Sequence, residues 1–553
     1  MRSLTHWMIG LSLLSLAVTT LFHPQASRSP GPSGTGLPPD AAPPARQVLR
    51  LMTPEPLSLD SSVRPYDTRG TILPFEPLLR RNERGEPKPG AAERYRSSPD
   101  GKTWTFSLRP GARWSDGRPV TAHDFVYSYR RMIDPASANI YAFFYYDILN
   151  AKAINQGALK DITRLGVRAV DDLTVEIKTE HPTPYLPYIV SFGDAFPAPR
   201  WQVEKYGRKW SDAGYIVTNS GFTVKEWVHG SHMTFVPNPN YNGPYRPILQ
   251  SVRNTFREPA AATILPYEND EVDLDSVDLN DLDRVKRDPR LSRDLAPSPT
   301  MTTWYLFFRT RQSPFQHVTV REAFARAIDR SAICQVILRG AATPAYGMLP
   351  PGFADYQGPK FQTAQGFNPQ RAAQLMRDAG FPNGRGFPKQ ELWLRAPNSS
   401  QQRVATAIQD MLKKHLGVDV TLRSLDDTAY MNHLYAWKMN LGLINFGADF
   451  PDPRNMLDMT WRSQPQGSGR QDWLNPEFDR LVDRARVTLD PKTRSQLYRQ
   501  AEQILVSDHA GVFLYNPVDL RLIKPWVKGY QREPDGTTRF NLDMPTTVYI
   551  ARH

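Results

Sequence analysis

Asp449 is the residue whose type and setting most clearly suit chemistry. It follows the run Leu441-Gly442-Leu443-Ile444-Asn445-Phe446-Gly447-Ala448, an apolar, strand-like segment. It therefore falls at a strand end, where α/β sheets commonly present groups to a ligand. A carboxylate fixed there can pair with a cation, and a charge-assisted hydrogen bond is strongest where water is excluded. The same aspartate could instead cap the turn before Pro451, and local sequence leaves both roles open.

Other reactive groups are less well placed. His229 and His232, in His229-Gly230-Ser231-His232, have a spacing compatible with a metal, but no cysteine and no further histidine lies near them, so a polar loop is the expectation. Neither a phosphate-cradling GxxxxGK[ST] nor an HExxH motif occurs. Ser, His and Asp are all present, so a hydrolytic triad stays open as a rival, yet no motif marks one. The single cysteine, Cys334, excludes an intrachain disulfide and a cysteine-based zinc cluster, and its apolar surroundings read as those of a buried thiol. No catalytic residue, metal site or cofactor is expected.

Positioning such groups takes a large body. A chain of 553 residues suggests about three domains or one elaborate two-lobed body. Its 50 prolines, roughly twice the usual share, point to many fixed turns rather than a helix bundle. The net charge of +12 is spread along the chain with acidic residues between, so the expectation is a soluble basic protein with no nucleic-acid partner.

The N-terminus reads as an export signal: Arg2 and His6, an apolar run from Trp7 to Phe22, then Pro24-Gln25-Ala26. Cleavage is expected near Ala26, with an uncleaved anchor as the alternative, and residues 27–45 form a Pro/Gly/Ser-rich tether. No cysteine follows the signal, so a lipoprotein is not expected. No later apolar run is long enough to span a membrane.

Local patterning then supplies the elements. Val48 to Leu51 and Lys102 to Arg109 read as strands, and Arg168 to Ile177 as a hairpin around Asp171-Asp172. Thr121, with Asp124 three positions on, opens a helix that Asp134-Pro135 ends. In the second half, helices are expected over 320–338, from Asn368-Pro369 to Gly380, over 401–416, 427–437, 475–486 and 491–508, with strands at 418–422, 441–446 and 512–515. That alternation predicts an α/β lobe with a largely parallel sheet.

Three stretches carry a family resemblance. Asp100-Gly101-Lys102-Thr103-Trp104-Thr105-Phe106-Ser107-Leu108-Arg109-Pro110-Gly111-Ala112-Arg113-Trp114-Ser115-Asp116-Gly117, continuing through Ala122-His123-Asp124-Phe125-Val126-Tyr127-Ser128, looks like a family signature. The others are Gly447-Ala448-Asp449-Phe450-Pro451-Asp452-Pro453 and the run from Arg521 to Tyr530. With these the chain resembles bacterial solute-binding family 5, the peptide- and nickel-binding proteins of ABC importers, and among them the periplasmic oligopeptide binders.

The resemblance implies a class II two-lobed α/β fold with an additional domain inserted in the N-terminal half. Lobe I would take residues 46–76, 200–298 and 516–553, the insert 77–199, and lobe II 299–515. It implies a monomer in the periplasm that captures short peptides between closing lobes and delivers them to an ABC permease and its ATPase-bearing complex. Relatives binding murein peptide, dipeptide, antimicrobial peptide or metal chelate are the alternatives. Asp449 matches the family residue that pairs with the peptide amine, Tyr141 and Tyr515 match cleft-lining positions, and Asn445, Phe446 and Gly447 would offer main-chain groups to which a peptide adds as a strand. At the carboxylate end the chain departs from the family: Leu434, Leu443 and Gln401 stand where cationic residues are expected, and Asp427 where a tryptophan is. Arg395 and Arg403 are near enough in sequence to substitute, although a surface role suits each.

Overall fold

A computed structural model describes residues 37–63, 73–192, 196–258, 263–463, 470, 472–530 and 544–553. The export signal and residues 27–36 of the tether lie outside the described residues. From Pro39 onward the chain forms one compact unit built on three principal sheets.

In the first sheet, Val48–Thr53 runs parallel to Ser251–Phe256, which is followed by His232–Pro237 and Phe222–Val228. The second is antiparallel, in the order Ala92–Ser97, Thr103–Leu108, Thr174–Lys178, Val167–Asp171. Thr103–Leu108 buries every second side chain, so Trp104, Phe106 and Leu108 enter the core as the period-two pattern requires. The helix Ala122–Ile133 packs over this sheet, and its capping box joins Thr121 and Asp124 as the sequence predicts. One apolar cluster serves both sheets.

The third sheet runs Leu274–Ser276, Gly511–Ile523, Thr302–Phe308, Leu441–Gly447, Gln390–Arg395, Val420–Leu425, and Leu295–Pro299 and Ala342–Pro344 also pair with the long second strand. It is not largely parallel. Only Gln390–Arg395 runs parallel to its neighbours, while the other five pairings are antiparallel. The helix Ser399–Leu416 makes the crossover that one parallel pair needs. Thr302–Phe308 arrives from a distant part of the chain and inserts between Leu441–Gly447 and Gly511–Ile523, running opposite to both. Two apolar clusters fill the faces of this sheet: Leu306 and Phe308 point into one, Tyr305 and Phe307 into the other.

Helix ends with local chemistry form where the sequence places them. Asn368 caps Pro369–Asp378, and Gly417, at φ +71°, ends Ser399–Leu416 in a left-handed turn. The helix expected over 320–338 is broken. Val318–Ala327 stops at an extended Ile328, and a new helical segment starts at Arg330. Asp329 caps the new segment by accepting from Ala332 N, and the buried Arg330 donates to the carbonyls of Ala325 and Ile328, which the break leaves without helical partners.

Candidate functional site

The strand Leu441–Gly447 holds the candidate residues Asn445, Phe446 and Gly447. It pairs with Thr302–Phe308 along its whole length, but on its other edge only Leu441–Leu443 are paired, with Leu392–Leu394. Among the described residues Ile444 to Gly447 therefore have no strand partner on that edge, and strand burial falls away over Asn445, Phe446 and Gly447. The Asn445 carbonyl faces the open edge, where Arg470 Nη1 donates to it at 3.4 Å. The Arg470 guanidinium also lies 4.9 Å from the centre of the Phe446 ring. With the two-residue period of a strand, the main-chain groups of Gly447 point the same way as those of Asn445.

Asp449 stands just beyond this edge and is half-buried. Asn455, fully buried, holds it at two points: Asp449 N donates to Asn455 Oδ1 at 2.9 Å, and Asn455 Nδ2 donates to Asp449 Oδ2 at 3.1 Å. Among the described residues, Asp449 Oδ1 accepts no hydrogen bond. Burial pushes the Asp449 carboxyl above the ordinary carboxylate range, opposed by the Asn455 hydrogen bond and by the charges of Arg81 and Arg470. Arg81 donates through Nη1 to the Asp449 carbonyl and through Nε to Ser191 Oγ at 3.1 Å.

Tyr141 is half-buried against the apolar cluster of the first two sheets. Its ring stacks on Phe144 at 5.9 Å and meets Phe192 edge-on at 5.7 Å; Phe144 in turn meets Phe450, and Arg81 lies over Phe192. Aromatic contacts thus connect Tyr141 to the segment that holds Asp449. Tyr515 is placed differently. Two strands away, it is buried and stacked on Trp304 at 5.8 Å, within the apolar cluster on the opposite face from Phe446. A bulge between Trp304 and Tyr305 turns it that way, which gives it the setting of a core tyrosine.

The chain matches the description bacterial extracellular solute-binding proteins, family 5, over residues 86–468. It is 32% identical over 465 residues to the periplasmic oligopeptide-binding protein OppA of Salmonella typhimurium, covering 82% of this chain and 84% of that protein. It is a family 5 solute-binding protein. Among solved structures, the unliganded open form of the periplasmic murein tripeptide-binding protein MppA superposes with a TM-score of 0.77 at 29% identity, covering 93% of this chain and 99% of the other. OppA of Haemophilus influenzae in complex with the peptide RPPGFSPFR superposes with a TM-score of 0.72 at 26% identity, covering 92% and 99%. Members of the family are binding proteins.

In this solute-binding protein the residues at the departing positions are committed elsewhere. Leu434 and Leu443 are buried, and Gln401 closes the capping box of its helix with Asn398. Asp427 takes both nitrogens Nε and Nη2 of Arg395 at 2.6 Å, which neutralises that guanidinium. Arg403 makes a long contact, 3.4 Å, with Ser400 Oγ. His229 is 2.8 Å from Glu55 and His232 3.4 Å from Glu226, so the two imidazoles face separate carboxylates rather than one point. Sequence reasoning missed Arg81, Arg470 and Asn455. A capping-type asparagine six residues after Asp449 was a faint signal; for the arginines no local pattern existed.

Proposed function

We propose that this protein is the extracytoplasmic solute-binding subunit of an ABC importer, a monomer that captures short peptides between two closing lobes, hands them to the permease and its ATPase-bearing complex, and does no chemistry on them. The observation that carries this reading is the strand edge from Ile444 to Gly447, which no described strand covers, ending at a carboxylate of which one oxygen accepts no hydrogen bond among the described residues. An extended peptide can add its backbone to such an edge whatever its sequence, and its ammonium can meet the carboxylate. Arg470, over the same edge, is a cation within reach of the ligand's other end.

The lobe boundaries near 299 and 516 are supported by the long strand Gly511–Ile523. Its first half pairs with Trp304–Phe307 and its second half with Leu295–Pro299 and Leu274–Ser276, so it is shared between the lobes at the place where a hinge belongs. Among the described residues no helix is long and apolar enough to cross a membrane, and export to the periplasm rests on the N-terminal signal pattern. Native mass spectrometry of the protein from its host, followed by incubation with a peptide library, tests the reading. Retained or added intact short peptides are expected; cleaved products, or retention of a non-peptide solute with no peptide bound, would refute it.

A further inference from the structure

Beyond Asp449 the chain leaves its own sheet and docks on the segment 141–192 that surrounds the small antiparallel sheet. Phe450, 1% exposed, lies between Tyr188, stacked at 6.2 Å, and Phe144, edge-on at 6.0 Å. Four residues later the buried Arg454 places Nη2 2.8 Å from Asp147 Oδ2, with its guanidinium carbon 4.4 Å from the centre of the Tyr185 ring. Tyr185 donates its hydroxyl to the same Asp147 oxygen at 2.7 Å, and His181 Nε2 is 3.3 Å from the other. Although burial acts to raise it, the charges of Arg454 and His181 hold the Asp147 carboxyl below its ordinary range. Arg454 also has Asp458 at 3.6 Å on its own side.

In the assignment above Asp147, Tyr185 and His181 belong to the inserted domain and Arg454 to lobe II, and neither Arg454 nor Asp147 is among the candidate ligand residues. A buried ion pair is a poor choice for permanent adhesion, since apolar residues of the same volume hold as well or better. Its distinguishing property is reversibility. When the faces part, both partners regain water, whereas a purely apolar seam resists opening.

We propose that Arg454 and Asp147 form a latch that holds lobe II closed against the inserted domain and thereby scales the affinity for every ligand by the same factor. Apparent affinity is the intrinsic value multiplied by the fraction of molecules in the competent state, so a latch acts equally on all ligands while a contact residue discriminates among them. The inference rests on the two-lobed trap but not on Asp449 or on the ligand being a peptide.

The test uses full-length Asp147→Asn, Arg454→Gln and the double variant, with small-angle scattering on each. A larger ligand-free radius of gyration than the parent's is expected. Calorimetry with a free and an N-acetylated tripeptide should show about a tenfold loss for both, their ratio unchanged, with the double variant no worse than the weaker single. If a single variant fails to fold because a charge is left buried alone, the double variant carries the test. An unchanged radius overturns the latch whether or not peptide binds. A loss confined to the free-amine peptide also overturns it, by placing the pair in the ligand site. Failure of the parent to bind either peptide counts against the peptide reading alone, since the radius still decides the latch.

Discussion

Replacing Asp449 by asparagine keeps the shape of the side chain and removes its charge. The Asn455 Nδ2 donor still finds an oxygen, so the local fold should survive, with the stability of the empty protein changing by less than about 0.5 kcal/mol. A bound ammonium fares worse. It loses its counter-charge while Arg81 and Arg470, the two guanidiniums whose charges act on Asp449, remain nearby and now repel it unopposed. Truncating one partner of a desolvated charge pair typically costs about 2–5 kcal/mol. Because Asp449 is only half-buried, some water can still reach the ammonium, and the lower part of that range applies: about 2–3 kcal/mol, or roughly 30- to 150-fold in affinity. Calorimetry on the parent and Asp449→Asn, each with a free and an N-acetylated tripeptide, isolates the pairwise term. Acetylation should weaken binding strongly in the parent and little in the variant. Additive effects of the two changes, or undiminished binding by Asp449→Asn, would show that the amine sits elsewhere.

Arg470→Gln should weaken a tripeptide with a free carboxylate about tenfold more than its C-terminal amide, read by the same calorimetry; equal losses would remove Arg470 from the carboxylate end. Because the folded Asp449 carboxyl titrates above its ordinary value, peptide affinity should fall as pH drops through that raised value, sooner than for an ordinary carboxylate, and this dependence should vanish in Asp449→Asn. Glu502 is fully buried, accepts from Leu349 N at 2.8 Å, and is pushed up to about 8 by burial. The folded protein thus holds a proton that the unfolded chain releases near 4.3, so this group's contribution to stability is complete below that pH and is lost as pH rises to about 8. Glu502→Gln should therefore gain thermal stability over the parent at pH 8 and gain little at pH 5, measured by calorimetric melting. Saturating peptide should shrink the radius of gyration of the parent in small-angle scattering, and an unchanged radius with binding verified would count against closing lobes.

Much of this molecule was legible locally because its signals are satisfied within a few residues. The Thr121–Asp124 box, the Asn368 cap and the Gly417 stop each complete their hydrogen bonds inside one turn, so the residues that specify them are neighbours in the chain. The alternation of Thr103–Leu108 sorts its own faces, and the apolar run before Asp449 announces a buried strand with a carboxylate at its end. Local pattern could not supply strand direction. The same apolar run suits a parallel or an antiparallel neighbour, and it meets one of each: parallel Leu392–Leu394 on one edge and, along its whole length on the other, antiparallel Thr302–Phe308 from nearly 140 residues earlier. Nor could it foresee that Tyr515 turns into the core, since a bulge in one ladder decided that. The break at Ile328 was equally hidden: its stabilising donors come from Arg330, a residue that reads as surface until tertiary packing surrounds it. The environment of Asp449 is the extreme case. The sequence by itself determined that a carboxylate would end the strand; only the tertiary structure brought Arg81, 368 residues away, to its carbonyl and ended the pairing with Gln390–Arg395 at Leu443, because contacts closed by chain folding leave no local trace in the sequence.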